Sequence, residues 1–192
     1  AVRTPSLTRA RPEVASRSTN GDRTTLTLFG RDLLGTRVRF GSTASVPADS
    51  VDAAEVALSL PDELRAGVHL VRVALRQVFG EGASARDLDV ESNAVPFMLV
   101  PTVLGGPFTV AAGGELTMSL DPPVGRAQEV RVVLGGYVVA WSPPGADASP
   151  DFAAITVRLP PEVEAGEWPL RVEVDGASSV PGTASSSSVR VT

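Results

Sequence analysis

At 192 residues, 43% of them hydrophobic and 20% charged, the chain carries enough apolar content to bury a core and too much to remain disordered. A net charge of −5 argues against a general polyanion-binding surface, and that all seventeen basic residues are arginine reads as GC-rich coding bias rather than selection for bidentate contacts. The absence of cysteine excludes disulfides, a thiol nucleophile and Cys-ligated metal, and leaves the redox compartment open.

No run of about 18 apolar residues occurs, so no helical membrane insertion is expected. The start at Ala1, without Met or a charged-then-apolar leader, reads as a processed end or the edge of an excised fragment.

In chain order, Pro5 to Thr8 supplies a short first strand, and Asn20-Gly21-Asp22 is a turn signal. Thr24 to Phe29 alternates with Leu26 and Leu28 on one face, and Gly30 is expected to end that strand. A tight connection at 31–35 leads to a second alternating run, 36–40, stopped by Gly41, and a further strand spans 55–60. The polar, Gly-containing stretch from Gln77 to Glu91 reads as a long loop, before a closing strand at 94–100.

The plan then repeats. Strands are expected at 115–120, 129–134, 137–141 and 154–159, with Asp121-Pro122-Pro123-Val124-Gly125-Arg126 as a connection and 142–151 as a Pro/Gly/Asp-rich loop. A strand at 170–174 reaches the turn Asp175-Gly176, and a low-complexity loop, Ser178 to Ser188, precedes the final strand 189–192.

One stretch occurs twice, 99 residues apart. Leu60, Pro61, Glu63, Ala66, Gly67, Arg72 and Val73 answer to Leu159, Pro160, Glu162, Ala165, Gly166, Arg171 and Val172. Its logic is local. Proline stops a strand, Asp62 to Arg65 forms one helical or 3₁₀ turn with Leu64 plugging the core, and Gly67 supplies the reversal before the next strand starts. The duplication predicts two homologous modules, 1–101 and 102–192, joined without a flexible linker. Short strands with turn signals every 8–12 residues and no helical periodicity beyond two turns predict an all-β protein of two tandem immunoglobulin-like β-sandwiches.

Three stretches of the first module, Leu26 to Leu33, Val38-Arg39-Phe40-Gly41 and Leu60-Pro61 through Ala66-Gly67 to Val73, resemble the IPT/TIG branch of that fold. Glu91-Ser92-Asn93-Ala94-Val95-Pro96-Phe97 resembles the family's closing-strand motif. A narrower resemblance is to the C-terminal region of tail-terminator (cap) proteins of contractile injection systems. It rests on Arg65-Ala66-Gly67-Val68, the 76–92 connection ending in Val90-Glu91-Ser92-Asn93, Asp121 to Arg126, and Arg171 to Ala177 with the final strand. Nothing here matches the N-terminal domain that seals the sheath and tube in that family. The resemblance therefore implies an accessory region, a protein partner among tail, sheath or cap components, and a bacterial, cytoplasmically assembled phage-tail-like particle.

No chemistry stands out. His69 is the one histidine, and the repeat places it where the second module has Trp168, so packing outweighs catalysis and no catalytic residue or enzymatic activity is expected. Asp87, Asp89 and Glu91 alternate on one strand face and could attract Ca²⁺, but no Gly-containing ligand loop accompanies them; solvated edge charges are favoured and no metal is expected. Tyr137, Trp141 and Trp168 could form an aromatic platform for a glycan, a lesser option than a core role. No phosphate-cradling loop, zinc spacing or dinucleotide fingerprint is present, so no cofactor is expected, and an acidic chain without a basic stripe argues against nucleic acid.

The expected function is a non-catalytic structural or protein-interaction module. Its interaction loops would carry Phe79, Arg86, Asp87, Asp89, Trp141 and Trp168. The alternatives are a bacterial surface or secreted module binding glycan or a host protein, and an appendage of a polysaccharide-acting enzyme.

Overall fold

The computed structural model describes residues 3–17, 24–41, 45–145, 150–180 and 188–192. The turn signal at Asn20-Gly21-Asp22, the middle of the 142–151 loop and most of the Ser178 to Ser188 segment lie outside the described residues. Among the described residues eighteen strands run in order β1 (Ser6–Arg11), β2 (Val14–Ala15), β3 (Thr25–Arg31), β4 (Thr36–Phe40), β5 (Ser50–Val51), β6 (Glu55–Ser59), β7 (Gly67–Phe79), β8 (Arg86–Glu91) and β9 (Val95–Leu99), then β10 (Thr102–Leu104), β11 (Phe108–Val110), β12 (Glu115–Gly125), β13 (Val130–Leu134), β14 (Tyr137–Trp141), β15 (Asp151–Arg158), β16 (Gly166–Val174), β17 (Ala177–Ser178) and β18 (Ser188–Val191). The one helical piece among those residues is a 3₁₀ turn at Gly82–Ser84.

The backbone divides into two compact units, Ala1–Glu63 with His69–Met98, and Leu64–Val68 with Leu99–Thr192. In the first, one sheet has the order β1-β3-β6-β5 and the other β2-β9-β7-β4, with β8 added beside β7. Lettered in the immunoglobulin manner these are A-B-E-D and A′-G-F-C. In the second, β10-β12-β15 is A-B-E, and β11-β18-β16-β13-β14 is A′-G-F-C-C′ with β17 beside β16. The protein is therefore all-β, two immunoglobulin-like sandwiches in tandem.

Period-2 alternation builds both cores. Leu26 and Leu28 of β3, Val56 and Leu58 of β6, Val38 of β4 and Val71 and Val73 of β7 are fully buried in the first unit. Met118, Val132, Leu134, Ile155, Leu170 and Val172 do the same in the second. Burying each such side chain stabilises by roughly 1.5–3 kcal/mol, which a chain without disulfides depends on.

The repeated stretch ends the E strand in both units. The Leu60 N–H donates to the Thr24 carbonyl at 2.9 Å, and Leu159 N–H to the Gly114 carbonyl at 2.9 Å. Leu64 and Val163 are both buried. Where a helical or 3₁₀ turn is expected at Asp62 to Arg65, the chain makes a plain turn at Asp62-Glu63, too short for a helical repeat. Gly67 has φ +138°, a region that disfavours side chains.

Three further expectations are corrected. Gly30 does not end its strand: β3 continues to Arg31, because Gly30 lies opposite Leu7 where β1 shifts register, and a Cβ there would collide with the Ser6 carbonyl. Asp121 to Gly125 is not a separate connection but the end of β12. The two prolines fall where the register with β15 jumps from Ser119 to Val124, so no ladder bond to β15 is demanded of them.

The largest correction concerns Gln77 to Glu91. Instead of an irregular loop, β7 runs on to Phe79 and pairs with β8 from Ala74↔Glu91 to Phe79↔Arg86. β4 accompanies β7 only as far as Leu75, so the outer part is a two-stranded ribbon. In the second unit β16 stops at Val174, the repeat counterpart of Leu75, and turns at once through Asp175-Gly176 into β17.

Candidate functional site

The ribbon places four of the six candidate residues together. Directly opposed residues of an antiparallel pair share a face. Arg76↔Asp89 and Val78↔Asp87 therefore project on one side, with Ala74↔Glu91 behind them, while Gln77↔Leu88 and Phe79↔Arg86 project on the other. Phe79 is half-buried, and Arg86, Asp87 and Asp89 are exposed. Val78 and Leu88, singled out by no sequence signal, are 68% and 51% exposed on opposite faces.

The spacing of Asp87, Asp89 and Glu91 does put three carboxylates on one face, and arginines occupy all three. Arg39 of β4 donates from Nη2 to Asp89 Oδ2 and from Nη1 to Glu91 Oε1, each at 2.7 Å, while its Nε donates to Ser45 Oγ at 2.9 Å. Arg76 of β7 donates from Nη2 to Asp87 Oδ2 at 2.7 Å. All of these groups are partly exposed, so each pair is worth at most about 1 kcal/mol; their joint effect is to hold the ribbon in register. No cluster of three potential metal-ligating side chains is found among the described residues.

Beside this lattice, on the outer face of β4 and β7, lies a depression of about 260 Å³ lined by Gly35, Arg37, Ser45, Ala74, Arg76 and Asp89. It exists because Gly35, Ser45 and Ala74 are small. Its rim carries two guanidiniums, which can donate hydrogen bonds, and one carboxylate, which can accept them.

The remaining candidates, Trp141 and Trp168, are not brought together. Trp141 is buried and meets Phe152 edge-on at 5.1 Å. Trp168 meets Tyr137 edge-on at 5.8 Å. Tyr137 and Trp141 stand at opposite ends of β14, roughly 13 Å apart along the strand. Both polar handles of the Trp168–Tyr137 pair are used within the second copy of the repeated stretch: Trp168 Nε1 donates to the Glu164 carbonyl at 2.9 Å and Tyr137 Oη to the Glu162 carbonyl at 3.2 Å. The three rings therefore do not form one platform. His69, at the repeat position of Trp168, stacks on Phe97 at 6.2 Å and meets Phe40 edge-on at 6.4 Å. Both positions pack against aromatic rings.

Two polar residues of the 91–97 motif, Ser92 and Asn93, carry backbone-pairing roles that the sequence reading does not assign to them. Asn93 replaces a strand, its Oδ1 accepting from Leu7 N–H and its Nδ2 donating to the Leu7 carbonyl, both at 2.9 Å. Ser92 is buried and its Oγ accepts from Val73 N–H. The signal available is their place in the closing-strand motif at 91–97.

A family model described as a domain of unknown function (DUF8756) matches residues 101–192. No curated protein matches the chain. Solved structures similar to it include the Bacteroides ovatus mixed-linkage glucan utilization locus protein SGBP-B in complex with a mixed-linkage heptasaccharide (14% identity, TM-score 0.35, 94% of this chain and 43% of that one). Others are the Yersinia pseudotuberculosis adhesin InvE (16%, 0.32, 97% and 58%) and tandem immunoglobulin domains of titin (10%, 0.27, 99% and 99%). The chain thus spans less than two thirds of the first two. At these scores the likeness says nothing of function, and the fold assignment rests on the strand order itself.

Proposed function

We propose that the chain is a non-catalytic protein-interaction module whose contact element is the β7–β8 ribbon of the first unit. The observation that carries this reading is the extension of the ribbon past the sandwich, with Val78, Leu88, Phe79 and Arg86 presented on a backbone braced by Arg39 and Arg76. A braced ribbon loses little conformational freedom on binding, so more of its contact energy appears as affinity.

The particular assembly proposed is that of a contractile-injection cap protein, in which an IPT/TIG-like region such as this one serves as an accessory tail. The residues supporting it are Arg65-Ala66-Gly67-Val68, Val90-Glu91-Ser92-Asn93 and Asp121 to Arg126. The alternative of a surface or secreted module binding a host protein draws on the same ribbon. Its glycan version is weakened by the inward engagement of Trp141 and Trp168.

The test mixes the chain with purified contractile tails, and separately with the globular cap domain. A parallel sample has residues 76–89 replaced by an Asp-Gly turn copied from 175–176, which keeps Val90 and Glu91 where the second unit has Ala177 and Ser178. Association at high-micromolar concentration that is lost with the ribbon supports the proposal. No association with either component overturns the cap reading, and association that survives ribbon removal overturns the role of the ribbon.

A further inference from the structure

The ribbon is not the only edge of interest. β14 closes one side of the second unit's larger sheet and, among the described residues, pairs only with β13. Its sequence, Tyr137-Val138-Val139-Ala140-Trp141, holds no charge and no proline. Natural edge strands are usually guarded by such residues, as β8 is by Asp87, Asp89 and Glu91. Val138 is 60% exposed and Ala140 is exposed beside it.

The backbone of this edge has a definite pattern. Gly135 and Gly136 form a two-residue hairpin loop, with Gly135 at φ +54° as a type II′ turn requires. Leu134 and Tyr137 then form the hydrogen-bonded pair that closes the hairpin, and bonding alternates from there. Tyr137, Val139 and Trp141 turn their N–H and C=O groups toward β13, while Val138 and Ala140 turn theirs outward. The hydrogen bond from Gly135 N–H to the Pro169 carbonyl fits the same alternation on the far side of β13.

We infer that this edge pairs with the β14 edge of a second copy of the chain, antiparallel, about a two-fold axis at Val139. This inference goes beyond the proposed function and does not depend on it. Only such a register sets each outward-facing residue against another: Val138 against Ala140 of the second copy, and Ala140 against its Val138. Four intermolecular backbone bonds result, and a two-fold contact closes on itself without growing into a fibre. On the outer face each larger side chain lies beside a smaller one. The uncharged edge is what permits the contact, since two copies of a net −5 chain would otherwise meet with like charges opposed. Five residues per side bury little surface, so the dimer is weak and concentration-dependent.

The full chain is followed by sedimentation from micromolar to millimolar concentration, where a monomer–dimer equilibrium is expected. Ala140→Pro removes an outward N–H that the native ladder does not use and should weaken dimerisation at least tenfold with the melting temperature held. Val138→Glu, which places a charge on the edge without touching the backbone, should do the same if the proline variant fails to fold. Because the chain has no cysteine, Val139→Cys should give a reducible dimer on mild oxidation, while Val78→Cys on the ribbon should not. A chain that stays monomeric throughout, dimerisation untouched by Val138→Glu, or equal cross-linking of the two cysteine variants overturns the inference.

Discussion

Ser92 holds Val73 by two bonds: its N–H donates to the Val73 carbonyl at 2.9 Å, and its Oγ accepts from the Val73 N–H at 3.0 Å. The second unit repeats the arrangement, with Ser179 N–H donating to the Val172 carbonyl at 2.8 Å and Ser179 Oγ accepting from Val172 N–H at 3.0 Å. Val73 and Val172 are repeat counterparts, and both serines are buried. At each site the G strand breaks its ladder and a hydroxyl completes the pairing. Ser92→Ala and Ser179→Ala should each cost about 1–3 kcal/mol, since a buried N–H is left without an acceptor. Urea denaturation of each variant checks this; midpoints unchanged from the parent would show that neither hydroxyl is needed.

Gly67 opens β7 at φ +138°. Gly67→Val should lower stability by about 1 kcal/mol or more, because a β-branched residue is strained there. The readout is the thermal midpoint, where a loss of that size in a domain of this class corresponds to several degrees.

Trp168 rests on Gly135: a Cβ at position 135 would lie 2.6 Å from the indole Cε3. Gly135→Ala therefore meets both a positive φ and an occupied space, and should cost more than about 1 kcal/mol. Trp168→Phe keeps a ring and loses only the bond to the Glu164 carbonyl, about 1 kcal/mol. Trp168→Ala loses both and should cost about 3 kcal/mol. Equal losses for Phe and Ala at 168 would show that the ring itself contributes nothing.

The Arg39 lattice makes a salt-dependent prediction. Arg39→Ala should destabilise by about 1 kcal/mol at low ionic strength, and the gap should narrow at about 1 M salt, where the Debye length is roughly 3 Å. Adding Ca²⁺ to the parent should leave its melting temperature unchanged, because Asp87, Asp89 and Glu91 are already turned onto arginines. A calcium-dependent rise would return those carboxylates to a metal role.

Sequence pattern reaches the sandwiches because their strands have one wet and one dry face, as in Leu26-Thr27-Leu28. It misses the ribbon for the same reason. Arg86-Asp87-Leu88-Asp89 is solvated on both sides, so no apolar period announces a strand, and Gly80-Glu81-Gly82 beside it reads as loop. Pro122-Pro123 misleads because proline punctuates strands generally, whereas here the register skips it. The aromatic candidates depend on the third dimension: nothing in the spacing of Tyr137, Trp141 and Trp168 says that the Gly135-Gly136 hairpin brings the first to the third and leaves the second at the far end. Phe79, Arg86, Asp87 and Asp89 stand out only as part of the stretch that differs most between the two repeats, and they do lie together.

The serine-to-valine tether at the root of the F–G hairpin separates frame from finger. Below it both units share one scaffold; above it one carries a two-residue turn and the other a braced ribbon. Closing a longer excursion adds little entropy cost, about 0.6 kcal/mol for each doubling of length. The second unit is therefore a ready recipient: a binding hairpin of chosen sequence could be transplanted onto Asp175-Gly176, with Ser179 and Val172 serving as the graft junction.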